Sequence, residues 1–142
     1  MKKSSIKAFT LIELLVVVTL IGILSTIGIV SYAGFVESAA QKSAENTLSS
    51  VALAQQEYKS NNGRYYTAGP TSTCTPSATT NTEINKNLFA DTQTENLTQN
   101  KRYDFCVAAT QTTYALIAKH KTKACQITLD QLNSFSRPGC DG

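Results

Sequence analysis

The 142 residues predict an α+β fold: one long N-terminal helix laid across a small antiparallel sheet. Three features lead there. An apolar run from Phe9 to Val30 carries a single charge; a helix-spaced apolar stripe continues it without a proline as far as Asn61-Asn62-Gly63; and the last third alternates like strands. Four segments follow from these features: 1–8, 9–30, 31–62 and 63–142.

Residues 9–30 read FTLIELLVVVTLIGILSTIGIV, with Glu13 the one charge in 22 residues. A helix of that length, at about 1.5 Å per residue, spans a hydrocarbon core of roughly 30 Å. Lys2, Lys3 and Lys7 precede the run and hold that end on the cytoplasmic side, so the rest of the chain is expected beyond the inner membrane. An ordinary secretory signal also opens with lysines and an apolar stretch, and Ser31, Ala33 and Gly34 offer small residues after it. That alternative leaves Glu13 unexplained, because a carboxylate in hydrocarbon disfavours insertion by several kcal/mol (about 3 on insertion scales) unless it finds a partner.

From Ser31 to about Ser60 the pattern turns amphipathic. Val36, Ala40, Ala44, Leu48, Val51 and Tyr58 fall near helical spacing, while Glu37, Gln41, Lys42, Glu45 and Lys59 lie on other faces. The whole helix would measure about 75 Å. Its second half lacks a sustained heptad, so the stripe is read as packing on a sheet rather than in a coiled coil.

Residues 67–82 (TAGPTSTCTPSATTNT) are Ser- and Thr-rich and contain Pro70 and Pro76, which predicts an exposed loop anchored by Cys74. A short helix is expected around Ile84–Phe89. Strands are expected at Tyr103–Ala108, Thr113–Ala118 and Ala124–Leu129, with a Lys/His/Thr loop before the third. In the first strand Tyr103, Phe105 and Val107 alternate with Asp104, Cys106 and Ala108. That pattern suits one covered face, with the helical stripe as its cover.

Cys74, Cys106, Cys125 and Cys140 all follow the apolar run and form no CxxC pair, and His120 is the sole histidine. Disulfides in an oxidising compartment fit better than a metal site. Four cysteines permit three pairings; Cys125–Cys140 with Cys74–Cys106 is the favoured one. The formal charge of +3 comes from the three leading lysines, without which ten basic residues balance ten acidic ones. A general nucleic-acid binder is therefore not indicated. No GxSxG, P-loop or GxGxxG is present, and carboxylates are scattered, so neither an enzyme nor a cofactor is expected.

Phe9-Thr10-Leu11-Ile12-Glu13 behind a short basic leader resembles the type IV prepilin signature, and the likeness continues through Leu14–Val18 and Ile21–Leu24. The resemblance implies a pilin fold, a leader 1–8 removed by prepilin peptidase between Ala8 and Phe9, and methylation of the new Phe9 amine. It also implies assembly through Phe9 and Glu13 with other pilin subunits at an inner-membrane assembly platform. Ala8 stands where the family usually has Gly, and Val30 where many members carry Pro. In pilins a C-terminal disulfide closes a surface loop, the place Cys125–Cys140 would take.

The resemblance implies a type IV pilus subunit, serving adhesion, twitching motility or DNA uptake. The alternatives are a pseudopilin of a type II secretion system, whose major forms often use calcium in place of that disulfide, and a DNA-receptor pilin. For the last, Lys119, Lys121 and Lys123 are the candidate DNA contacts, since repetition along a filament would make a basic stripe. A solvated hairpin loop is the simpler reading of those lysines, and DNA contact is not favoured.

Overall fold

The structure is a computed structural model that describes residues 9–68, 73–90 and 97–140, with backbone alone at 29–31. The expected leader 1–8, Pro70 with the middle of the Thr-rich stretch, and positions 91–96 lie outside the described residues. The chain forms two compact units, Met1–Ala39 and Ala40–Gly142, and helix α1 (Leu11–Asn62) contributes to both.

In the second unit, α1 is followed by α2 (Ala78–Leu88), a 3₁₀ turn (Leu97–Gln99) and four strands: β1 (Tyr103–Ala109), β2 (Tyr114–His120), β3 (Gln126–Asp130) and β4 (Phe135–Ser136). The strands form an antiparallel meander in the order β1-β2-β3-β4. Phe105 lies opposite Ala118, Ala118 opposite Ile127, and Leu129 opposite Phe135. In that register the inward side chains of neighbouring strands share one face.

That face and the α1 stripe make the core. Ala44, Leu48 and Val51 cluster with Phe105, Val107, Leu116, Ile127 and Leu129, all buried. Burying each of the larger side chains is worth about 1.5–3 kcal/mol. The helix stops where Gly63 takes φ +72° and its N–H bonds to the Lys59 carbonyl (2.8 Å), a left-handed cap that side-chain-bearing residues resist. Gly139 is also required. At φ +69°, an added Cβ would come within 2.8 Å of the Ala124 carbonyl oxygen.

Four local expectations change. The helix after the Thr-rich stretch spans Ala78–Leu88, so residues 78–82 are helical and not loop. The Ser77 hydroxyl accepts the Thr80 N–H (3.3 Å) while Thr80 Oγ1 accepts the Ser77 N–H (2.9 Å). This reciprocal cap starts a helix whose residues have weak helical preference. Lys119 and His120 belong to β2, not to the following loop, and Ala124 and Cys125 precede β3. Finally, Cys106 and Ala108 are buried like their neighbours, so this part of β1 is covered on both faces.

Cys106 is covered by segments that return to β1 from earlier in the chain. Cys106 is bonded to Cys74, and its sulfur sits 3.6 Å from the Ala68 carbonyl oxygen. The open edge of β1 is occupied as well. Asn81 accepts the Phe105 N–H (2.7 Å), the Thr80 hydroxyl donates to the Phe105 carbonyl (2.6 Å), and the Ala68 N–H donates to the Val107 carbonyl (3.0 Å). Side chains of α2 and one preceding backbone group thus stand in for a fifth strand and block edge-to-edge pairing.

Candidate functional site

The first unit presents apolar surface with no cover of its own. Every large apolar side chain from Phe9 to Ile27 is exposed, thirteen in all, with Phe9 and Leu11 each 82% exposed. At about 1.5 kcal/mol or more per side chain, leaving them in water costs roughly 20 kcal/mol. An 18-residue window here reaches a mean hydropathy of 2.6, none of it buried. By length and composition this helix can cross a membrane.

The polar groups in this stretch are satisfied within it. Thr19, Ser25 and Thr26 donate their hydroxyls to the carbonyls of Val16 (2.8 Å), Ile21 (2.7 Å) and Ile23 (2.7 Å). No hydroxyl among them needs water, which suits a hydrocarbon surrounding.

Glu13 closes the helix start. The Thr10 N–H and hydroxyl both donate to Glu13 Oε2, at 2.9 and 2.7 Å, and Thr10 Oγ1 accepts the Glu13 N–H at 3.3 Å. Thr10 is thus the N-cap and Glu13 the third helical residue of a capping box. The sequence reading did not pick out this cap, although the Thr-x-x-Glu spacing is its signal. Thr10 is neutral, so the capping box satisfies hydrogen bonds of Glu13 without supplying a counter-charge. Phe9 is exposed beside it, and Ala8 lies outside the described residues.

In the second unit Cys125 is bonded to Cys140, closing a loop of 15 residues' separation. That loop is tied to one face of α1 at two positions four residues apart. Gln41 donates to the Cys140 carbonyl (3.0 Å), and Arg137 Nε donates to Glu45. The Arg137 hydrogen bond, with a smaller contribution from Lys42, holds the Glu45 carboxyl below the usual carboxylate range against the opposing effect of burial. The same bond raises Arg137. Sequence reading placed Gln41 and Glu45 on polar faces and missed both contacts, because the partners lie more than ninety residues away.

Gln55 was missed too. It is fully buried, donates to the Tyr66 carbonyl (2.8 Å) and accepts the Tyr66 N–H (2.9 Å). It therefore replaces a missing backbone partner on both sides of one peptide position.

The basic loop is partly committed internally. Lys121 Nζ donates to the Asn100 carbonyl (2.9 Å) and lies 3.3 Å from Asp104, while Lys119 sits opposite Asp104 in the β1–β2 register. Lys119 and Lys123 are exposed. His120 Nδ1 accepts the N–H groups of Thr122 (3.2 Å) and Lys123 (3.1 Å), which shapes the turn. Lys119 ends β2 while Lys121 and Lys123 lie in the turn, and Lys121 is paired with Asp104, so the three lysines are not a set of equivalent cations.

No curated protein and no solved structure is significantly similar to the chain. Residues 3–29 match the prokaryotic N-terminal methylation motif, a stretch that includes Lys3, Lys7, Phe9, Glu13 and most of the exposed apolar helix. The chain thus carries the type IV prepilin signature on an α+β framework of long helix and four-stranded sheet, and that signature supports a type IV pilin-like or pseudopilin precursor.

Proposed function

We propose that this protein is a structural subunit of a type IV pilus. Prepilin peptidase cuts between Ala8 and Phe9 and methylates the new amine. Residues 9–30 hold the precursor in the inner membrane with 63–142 outside the cytoplasm. An inner-membrane assembly platform then draws it, with other pilin subunits, into a surface filament. The observation carrying this reading is the apolar helix with every hydroxyl self-satisfied and one lone carboxylate, Glu13, near its tip. Such a rod is stable in lipid or against other such rods, and in water it is not.

Glu13 supplies register. The mature Phe9 amine is a cation in the same apolar layer, and pairing it with Glu13 of a neighbouring subunit neutralises both. Net stabilisation is small because desolvation opposes attraction, but a subunit seated at the wrong height leaves two buried charges unpaired. The Cys125–Cys140 closure supports a pilus subunit over a calcium-using pseudopilin.

Filaments sheared from cells and analysed by mass spectrometry test the proposal. The expected species begins at an N-methylated Phe9 and is present in the filament fraction. A free secreted protein cut after the helix, near Ser31–Gly34, would overturn it. Recovery of the methylated chain only in a secretion-system complex would move it to the pseudopilins.

A further inference from the structure

At the C-terminal end of α1 an open groove of about 360 Å³ lies between Tyr58, the Arg64–Thr67 segment and the β1–β2 turn at Ala109–Gln111. This volume falls within the roughly 300–1,000 Å³ of small-ligand sites. We propose that this groove binds a carboxylated pyranose, a single acidic sugar residue at a time.

Three features support that ligand class. The groove wall is aromatic: Tyr58 and Tyr66 are half-buried and meet edge to face at 5.7 Å, with Tyr65 behind them. The C–H face of a pyranose is apolar and slightly positive, and it stacks on electron-rich rings. Among the described residues the polar lining is neutral apart from one cation. Arg64 is exposed and makes no ion pair among the described residues, so its planar fork is available to a carboxylate. Gln111, exposed on the turn, adds an amide suited to sugar hydroxyls.

The wall is also set in advance of any ligand. Gln55 clamps the Tyr66 backbone at both its N–H and carbonyl, and the Asn87 amide donates to the Tyr66 hydroxyl (3.2 Å). Tyr65 packs edge to face on Tyr114 at 4.8 Å. A wall already ordered loses little conformational freedom on binding.

A nucleic-acid strand fits this groove less well. Strand-binding channels combine stacking rings with a track of cations along the backbone, whereas Arg64 is the one cation lining this groove among the described residues. Lys121 and Lys123 cannot extend it, because the β2–β3 turn lies at the opposite end of the meander from the β1–β2 turn. The proposal is independent of whether the chain ends in a pilus or a pseudopilus.

The test uses the full chain in a detergent without a sugar headgroup, titrated with methyl β-glucuronide, a methyl sialoside, methyl β-glucoside and a thymidine oligonucleotide. Saturation-transfer NMR and amide shift changes report binding. At least one acidic sugar is expected to bind five-fold or more tighter than the glucoside, with shifts confined to residues 58–67 and 109–111. Arg64→Gln should reduce the acid to the level of the glucoside, and Gln111→Ala should weaken both sugars several-fold. Both side chains are exposed, and unchanged amide shifts elsewhere verify the fold. Whether glucuronide or sialoside binds tighter identifies a bacterial polysaccharide or a host surface as the source. Equal binding of acid and neutral sugars, Arg64→Gln without effect, no binding of either acid, or preference for the oligonucleotide would each overturn the proposal.

Discussion

Arg137 donates its Nε–H to the carboxylate of Glu45, joining the C-terminal disulfide loop to α1 across 92 residues of sequence. The Arg137 guanidinium also lies 5.4 Å over the Phe135 ring. Glu45 is buried, while the Arg137 side chain is 42% exposed, so water screens part of the pair.

This pair gives the second unit an acid-sensitive fastening. The folded Glu45 pKa lies below its ordinary value, chiefly through the Arg137 hydrogen bond. The associated stability is therefore fully present above the ordinary glutamate range, near pH 4.3–4.5, and is lost as pH falls through the depressed folded value. Glu45→Gln should flatten the acid limb of a stability–pH profile. Arg137→Gln should move the acid-unfolding midpoint to higher pH. Urea titrations at pH 3 to 7 measure both.

Gln55 is a fully buried amide that holds Tyr66 in place. Gln55→Ala leaves the Tyr66 N–H and carbonyl without the partners they have now. We expect a loss of about 2–4 kcal/mol from the two unmet groups. The urea midpoint should fall with an unchanged slope, and amide exchange should speed up first at residues 64–68.

The faces of α1 in the second unit predict opposite outcomes for two leucines. Leu48 is 1% exposed and Leu53 is 74% exposed. Leu48→Ala should cost about 2–5 kcal/mol by leaving a cavity, and Leu53→Ala less than about 0.5 kcal/mol. Calorimetry of the two variants in the same detergent checks the contrast.

Removing the C-terminal closure should be costly and local. A cross-link over 15 residues is worth about 3 kcal/mol. Replacing both Cys125 and Cys140 by Ser should lower stability by that order. It should also release the loop from Gln41 and Glu45, which hydrogen exchange across residues 131–140 would report.

At the helix start, two substitutions separate capping from charge. Thr10→Ala breaks the capping box and should cost about 0.5–2 kcal/mol of helix-end stability, while leaving assembly largely intact. Glu13→Gln keeps a side chain able to complete the box but removes the negative charge. On the proposed register role, membrane levels should stay normal while filaments become few or absent. Normal piliation in that variant would rule the role out.

Much of this architecture is written locally. A 22-residue apolar run with Glu13 as its one charge announces a membrane-length helix, because such a run is poorly solvated by water. Asn61-Asn62-Gly63 marks its end, since glycine alone takes the left-handed cap without strain. The three longer strands were legible to within one or two residues at most ends, because period-two alternation belongs to each strand's own sequence. The start of α2 was also local, yet it was hidden. Its signal is the Ser77–Thr80 exchange of hydrogen bonds, inside a stretch whose composition suggests loop.

What sequence pattern could not supply is the set of partners brought together by folding. β1 is buried beyond its alternating face because Cys74 and Ala68 return to it, and its open edge is occupied by Asn81 and Thr80. Gln41 and Glu45 look like solvated helix positions until the chain end reaches them, and Gln55 looks the same until Tyr66 does. A polar side chain records what it can donate or accept and not where its partner will be. Apolar periodicity therefore sets which elements form, and the path of the loops decides which polar groups become fastenings.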